Sequence, residues 1–117
     1  MATLTPTLTL VSTDATTDSL SLSLTDTLTV NQKIIGPSKI KLSTVDLTLF
    51  AAADYGISYV YLKNLDSSIA MDVTFNDKVS IYVQPGEFAF FPWRGSEDIK
   101  IKSESGTPYV EYGIWEA

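Results

Sequence analysis

The sequence predicts an all-β protein: an antiparallel β-sandwich of jelly-roll type, built from eight or nine short strands. Apolar residues recur with period two, turn-forming residues interrupt them every eight to twelve positions, and no stretch carries a helical period. With 117 residues the chain is long enough for one core and short for two, so a single domain over 1–117 is expected.

The clearest alternation runs from Leu20 to Val30. Its even positions are Leu20, Leu22, Leu24, Asp26, Leu28 and Val30, and its odd positions are all Ser or Thr. Leu4, Leu8 and Leu10 repeat the pattern between threonines, and the cluster from Ser12 to Asp18 supplies turn residues between the two runs. The two segments pair as a hairpin or lie in facing sheets. Pro6 lacks the amide that a central strand donates, which puts the first strand at an edge or at a break in the ladder. Residues 1–18 are therefore read as an exchangeable N-terminal arm. From residue 2 to 30, 21 of 29 residues are Thr, Ser or Leu, a bias that would suit a disordered stalk were the alternation not so strict.

Gly36-Pro37-Ser38 reads as punctuation. Beyond it the apolar phase changes from even at Ile40 and Leu42 to odd at Val45, Leu47 and Leu49, as a bulge near Ser43 or Thr44 would cause. Further strands are expected at Ile57–Lys63, Ile69–Phe75 and Val79–Val83, separated by turns at Asn64–Ser68 and Asn76–Lys78. Gln84-Pro85-Gly86-Glu87 has Pro and Gly where a type II turn needs them. Phe88–Trp93, Ile99–Lys102 and Tyr109–Trp115 complete the set, with Gly113 marking a bulge or the close approach of another backbone.

Composition narrows the function. Eight basic against fourteen acidic residues leave a charge of −6, the wrong sign for binding nucleic acid. The absence of His and Cys removes the common nucleophile systems, thiol redox chemistry and most transition-metal sites, so no enzyme, cofactor or metal is expected. The first basic residue is Lys33, which leaves no n-region for a secretory signal, and no apolar stretch approaches the ~20 residues of a membrane span. Asp66, Asp72, Asp77, Glu87, Glu97 and Asp98 sit in or beside turns, where carboxylates ordinarily bond local backbone. A carboxylate-dependent glycosidase is the least favoured reading. Neither Asp14…Asp18 nor Asn64-Leu65-Asp66 has the spacing of a calcium loop. Lys39 with Lys41, and Lys100 with Lys102, lie on single strand faces and read as solvated lysines. Phe90 and Phe91 are consecutive, so one of them points away from the core that receives the other.

Three stretches carry a resemblance: Tyr59-Val60-Tyr61-Leu62-Lys63-Asn64-Leu65-Asp66, Val83-Gln84-Pro85-Gly86-Glu87-Phe88-Ala89-Phe90-Phe91-Pro92-Trp93, and Val110-Glu111-Tyr112-Gly113-Ile114-Trp115-Glu116. Over residues 57–117 the chain resembles small β-sandwich virion proteins of tailed bacteriophages of cyanobacterial and other aquatic hosts. That resemblance implies a particle component, foremost a cement or decoration protein on the capsid exterior. It also implies the major capsid protein and copies of the chain itself, as a homotrimer, for partners, with no nucleic acid, membrane or small-molecule substrate. A head-to-tail connector, tail or baseplate component is the nearest rival, followed by a carbohydrate-binding module or fibre tip. The expected contact residues are Leu4, Leu8 and Leu10, through strand addition to a neighbour, with Phe91 and Trp93.

Overall fold

The computed structural model describes residues 2–15, 17, 19–31 and 33–117, the side chains of residues 33–35 excepted. Two compact units divide the chain, residues 1–31 and 32–117. Both strands of the N-terminal hairpin belong to the first unit.

The first unit is a two-stranded ribbon. Strands β1 (Ala2–Leu4) and β4 (Leu28–Val30) pair antiparallel, as do β2 (Thr7–Ser12) and β3 (Leu20–Thr25). In every pair the two residue numbers add up to 32, so the four segments are two continuous strands in one register. The ladder is interrupted where Pro6 has no amide to donate, and the Asp26 amide still bonds the Pro6 carbonyl at 3.2 Å. At the tip, the Ser12 hydroxyl accepts from the amides of Asp14 (3.3 Å) and Ala15 (2.9 Å) and turns the chain out of β2.

The second unit holds eight strands: β5 (Lys33–Lys41), β6 (Leu47–Phe50), β7 (Ser58–Asn64), β8 (Met71–Phe75), β9 (Lys78–Val83), β10 (Phe88–Trp93), β11 (Ile99–Ser103) and β12 (Tyr109–Glu116). They form two four-stranded antiparallel sheets, ordered β10-β7-β12-β5 and β6-β11-β8-β9. Pairing is nested, β8 with β9, β7 with β10, β6 with β11 and β5 with β12, as in a long ribbon rolled into two layers. This is the jelly-roll arrangement. With the N-terminal segments the described residues contain twelve strands, more than the eight or nine expected, partly because Pro6 and Asp26 split two long ones.

Alternation sorts the side chains. Along β7, residues Ser58, Val60, Leu62 and Asn64 are buried while Tyr59, Tyr61 and Lys63 are half-buried on the outer face. Along β11, Ile99, Ile101 and Ser103 are buried between Lys100 and Lys102. The two inner faces meet around Phe50, whose ring packs on Tyr55 (5.7 Å), Tyr112 (5.9 Å) and Trp93 (6.4 Å).

Turn chemistry acts where the sequence places it. Asn76 and Asp77, with φ of 49° and 59°, form the two-residue β8–β9 hairpin loop. Gly86 takes φ of 77° and the Glu87 amide bonds the Gln84 carbonyl at 3.0 Å, closing the Pro-Gly turn.

Two expectations are corrected. The phase change after Leu42 is not a bulge near Ser43 or Thr44: the chain leaves one sheet at Lys41 and enters the other at Leu47, so the inward parity is reset. Gly36-Pro37 does not end a strand but lies inside β5, an edge strand, where a missing amide is tolerated. Gly36 has φ of 125°, and a Cβ there would lie 2.6 Å from Gly113 Cα. The close backbone approach expected at Gly113 is thus present, and β12 shifts register against β5 beside it.

Candidate interaction surface

The hairpin register assigns every side chain of the first unit to one of two faces. Leu4 stands opposite Leu28, Leu8 opposite Leu24, Leu10 opposite Leu22 and Ser12 opposite Leu20. All seven leucines of residues 2–30 therefore share one face. The other face carries Thr3 with Thr29, Thr7 with Thr25, Thr9 with Ser23 and Val11 with Ser21, and the Thr7 and Thr25 hydroxyls approach to 3.3 Å.

Four of these leucines are exposed. Leu8 retains 40%, Leu10 43%, Leu22 37% and Leu24 55% of its accessible surface, whereas Leu4, Leu20 and Leu28 are half-buried. Covering a leucine side chain fully is worth about 1.5–3 kcal/mol, so this face is an unfilled hydrophobic contact. Of the expected contact residues, Leu8 and Leu10 are exposed and Leu4 is half-buried. Reasoning from the first strand alone missed Leu20, Leu22 and Leu24, although their even phase matches Leu8 and Leu10.

Phe91 and Trp93 leave the set of contact residues. Both lie on the inner face of β10: Phe91 packs edge-on to Phe75 at 5.9 Å, and Trp93, 6% exposed, packs on Phe50 and Tyr55. The residue of the consecutive pair that points outward is Phe90. Its ring lies nearly parallel to that of Tyr59, at 11° and 6.3 Å, beside the exposed Phe88. On the same outer face the Tyr61 hydroxyl donates to Glu111 Oε1 at 2.8 Å. Burial first, then this bond to a carboxylate, pushes the Tyr61 pKa up to about 12. Lys41 Nζ stands 5.9 Å from the ring centre of Tyr109 nearby.

Asp66 and Asp98 serve local structure. Asp66 Oδ2 accepts from the amides of Ser68 (2.8 Å) and Ile69 (2.7 Å), which holds its pKa below the ordinary value. Asn64, fully buried, donates to the carbonyls of Ile69 (2.8 Å) and Val83 (3.1 Å) and accepts from the Asp66 amide (2.9 Å), so the two side chains together knit the β7–β8 connection. Asp98 accepts from the Ala52 amide at 2.8 Å. Asp77 pairs with Lys100 at 3.6 Å in an exposed cleft lined also by Asn76, Glu97 and Asp98. Among the described residues no three Asp or Glu side chains are placed to hold a metal ion; Asp18 lies outside the described residues. No protein-family model matches the chain, and no curated protein matches it.

Proposed function

We propose that this chain is a structural component of a phage particle, a cement or decoration protein that binds the capsid exterior and stabilises the shell through protein–protein contacts. The observation that carries this reading is the uncovered leucine face on a two-stranded hairpin, an element too thin to bury its own apolar side. The second unit is a jelly roll in which Asp66, Glu87 and Asp98 bond backbone amides, a stiff body suited to bridging subunits. The charge of −6 suits a surface away from packaged DNA, and the resemblance over residues 57–117 points to the same class.

Quantitative mass spectrometry of purified source particles tests this. A copy number equal to that of the major shell protein, or a simple fraction of it, is expected. A number matching one small ring moves the protein to the neck or tail, and absence from particles overturns the reading. Removal of residues 1–31 is expected to abolish particle binding while the jelly roll stays folded.

A carbohydrate-binding role is favoured by one observation, the nearly parallel Tyr59 and Phe90 rings on the outer sheet face. Buried Trp93 is not available to a glycan, so the test is glycan binding lost on Tyr59→Ala in a folded protein.

A further inference from the structure

The leucine face of the hairpin is self-matching. The register relates Leu8 to Leu24 and Leu10 to Leu22, so the face presents the same side chains from either strand. From Leu8 and Leu24 to Leu20 it bears no charged residue, and Asp26 lies inward of that stretch beside Pro6 with its carboxylate accepting from the Thr27 amide at 2.8 Å. An apolar, uncharged surface is the cover that matches it. The opposite face is Thr and Ser apart from Val11, and needs no cover.

We propose that the occupant is the same hairpin of a second copy of this chain, packed leucine to leucine about a two-fold axis. The pair is a small four-stranded sandwich with leucine inside and Thr and Ser outside, and an isologous contact uses one patch twice. Each continuous strand has eleven residues, from Ala2 to Ser12 and from Leu20 to Val30, giving a ribbon roughly 35 Å long and a buried area on the order of 400 Å² per copy. A pair then buries about 800 Å², short of the roughly 1,200 Å² of a stable specific dimer, so the contact is weak and reversible. Such a pair occupies the face that the particle reading assigns to the shell, and its association is measured on the isolated chain, away from particles.

Sedimentation of the full chain between about 10 µM and 1 mM, with hydrogen exchange over residues 2–30, tests it. The average mass is expected to rise from monomer toward dimer, with exchange of the hairpin amides slowing about tenfold or more over the same range. Two double variants place one opposite-charge pair on each face, at directly paired positions that preserve hairpin pairing. Leu10→Asp with Leu22→Lys is expected to stay monomeric with fast exchange, and Thr9→Asp with Ser23→Lys to associate as the parent does. A parent chain that remains monomeric throughout overturns the proposal. So does a leucine-face variant that still dimerises, or a threonine-face variant that loses association equally.

Discussion

Strands β3 and β7 obey the same alternation and end in opposite states. In β7 the inward side chains Val60 and Leu62 are fully buried, because the facing sheet closes over them. In β3, Leu22 and Leu24 stay exposed, because the ribbon they belong to has two strands and no facing layer. Period two fixes which residues share a face. Only a second layer decides whether that face becomes core.

The largest expected effect sharpens this contrast. Phe50→Ala empties the centre of the core, where three aromatic rings converge, and is expected to cost about 3–5 kcal/mol in urea unfolding of the jelly roll. Leu24→Ala should shift the same transition by less than about 0.5 kcal/mol, since that side chain is 55% exposed and belongs to the other unit. Equal losses would erase the distinction between the two units.

Gly36→Ala comes next. It combines a φ of 125° with a Cβ 2.6 Å from Gly113 Cα, and should cost about 2–3 kcal/mol. Gly86→Ala, at φ of 77° with open space around it, should cost only about 1 kcal/mol. A smaller penalty at Gly36 than at Gly86 would mean that β5 and β12 can part locally.

The smallest effect is one of pH. Backbone amides of Ser68 and Ile69 hold the Asp66 pKa below its unfolded value, so the contribution is complete above about 3.9 and is lost as pH falls through the lower folded value. A pH series of urea midpoints should show wild-type stability declining below about pH 4 and a shallower decline in Asp66→Asn. Parallel curves would remove Asp66 from the account of the β7–β8 connection.

Much of this architecture is written locally. The parity of Leu20 to Val30, the Asn76-Asp77 loop and the Gln84–Glu87 turn each depend on neighbours a few residues away, and each is where the sequence puts it. Positions set by distant partners were not legible. The parity reset between Leu42 and Leu47 looks like a bulge until the sheet change is known. Phe90 and Phe91 had to point apart, yet only the facing Phe75 decides that Phe91 goes inward. Among the exposed leucines, the shared phase of Leu8 and Leu10 was readable from alternation, whereas the exposure of Leu22 and Leu24 is a fact of three dimensions.

The nesting of the jelly-roll pairs also sets an economical order of assembly. The innermost pair, β8 with β9, closes across two residues, Asn76 and Asp77, already bent the required way. Once it forms, the Pro-Gly turn leads β10 back toward β7, and β11 and β12 find β6 and β5 with the intervening chain held. Each closure then spans a short effective loop, and the entropy cost of pairing Lys41 with Tyr109 is met in small steps and not all at once.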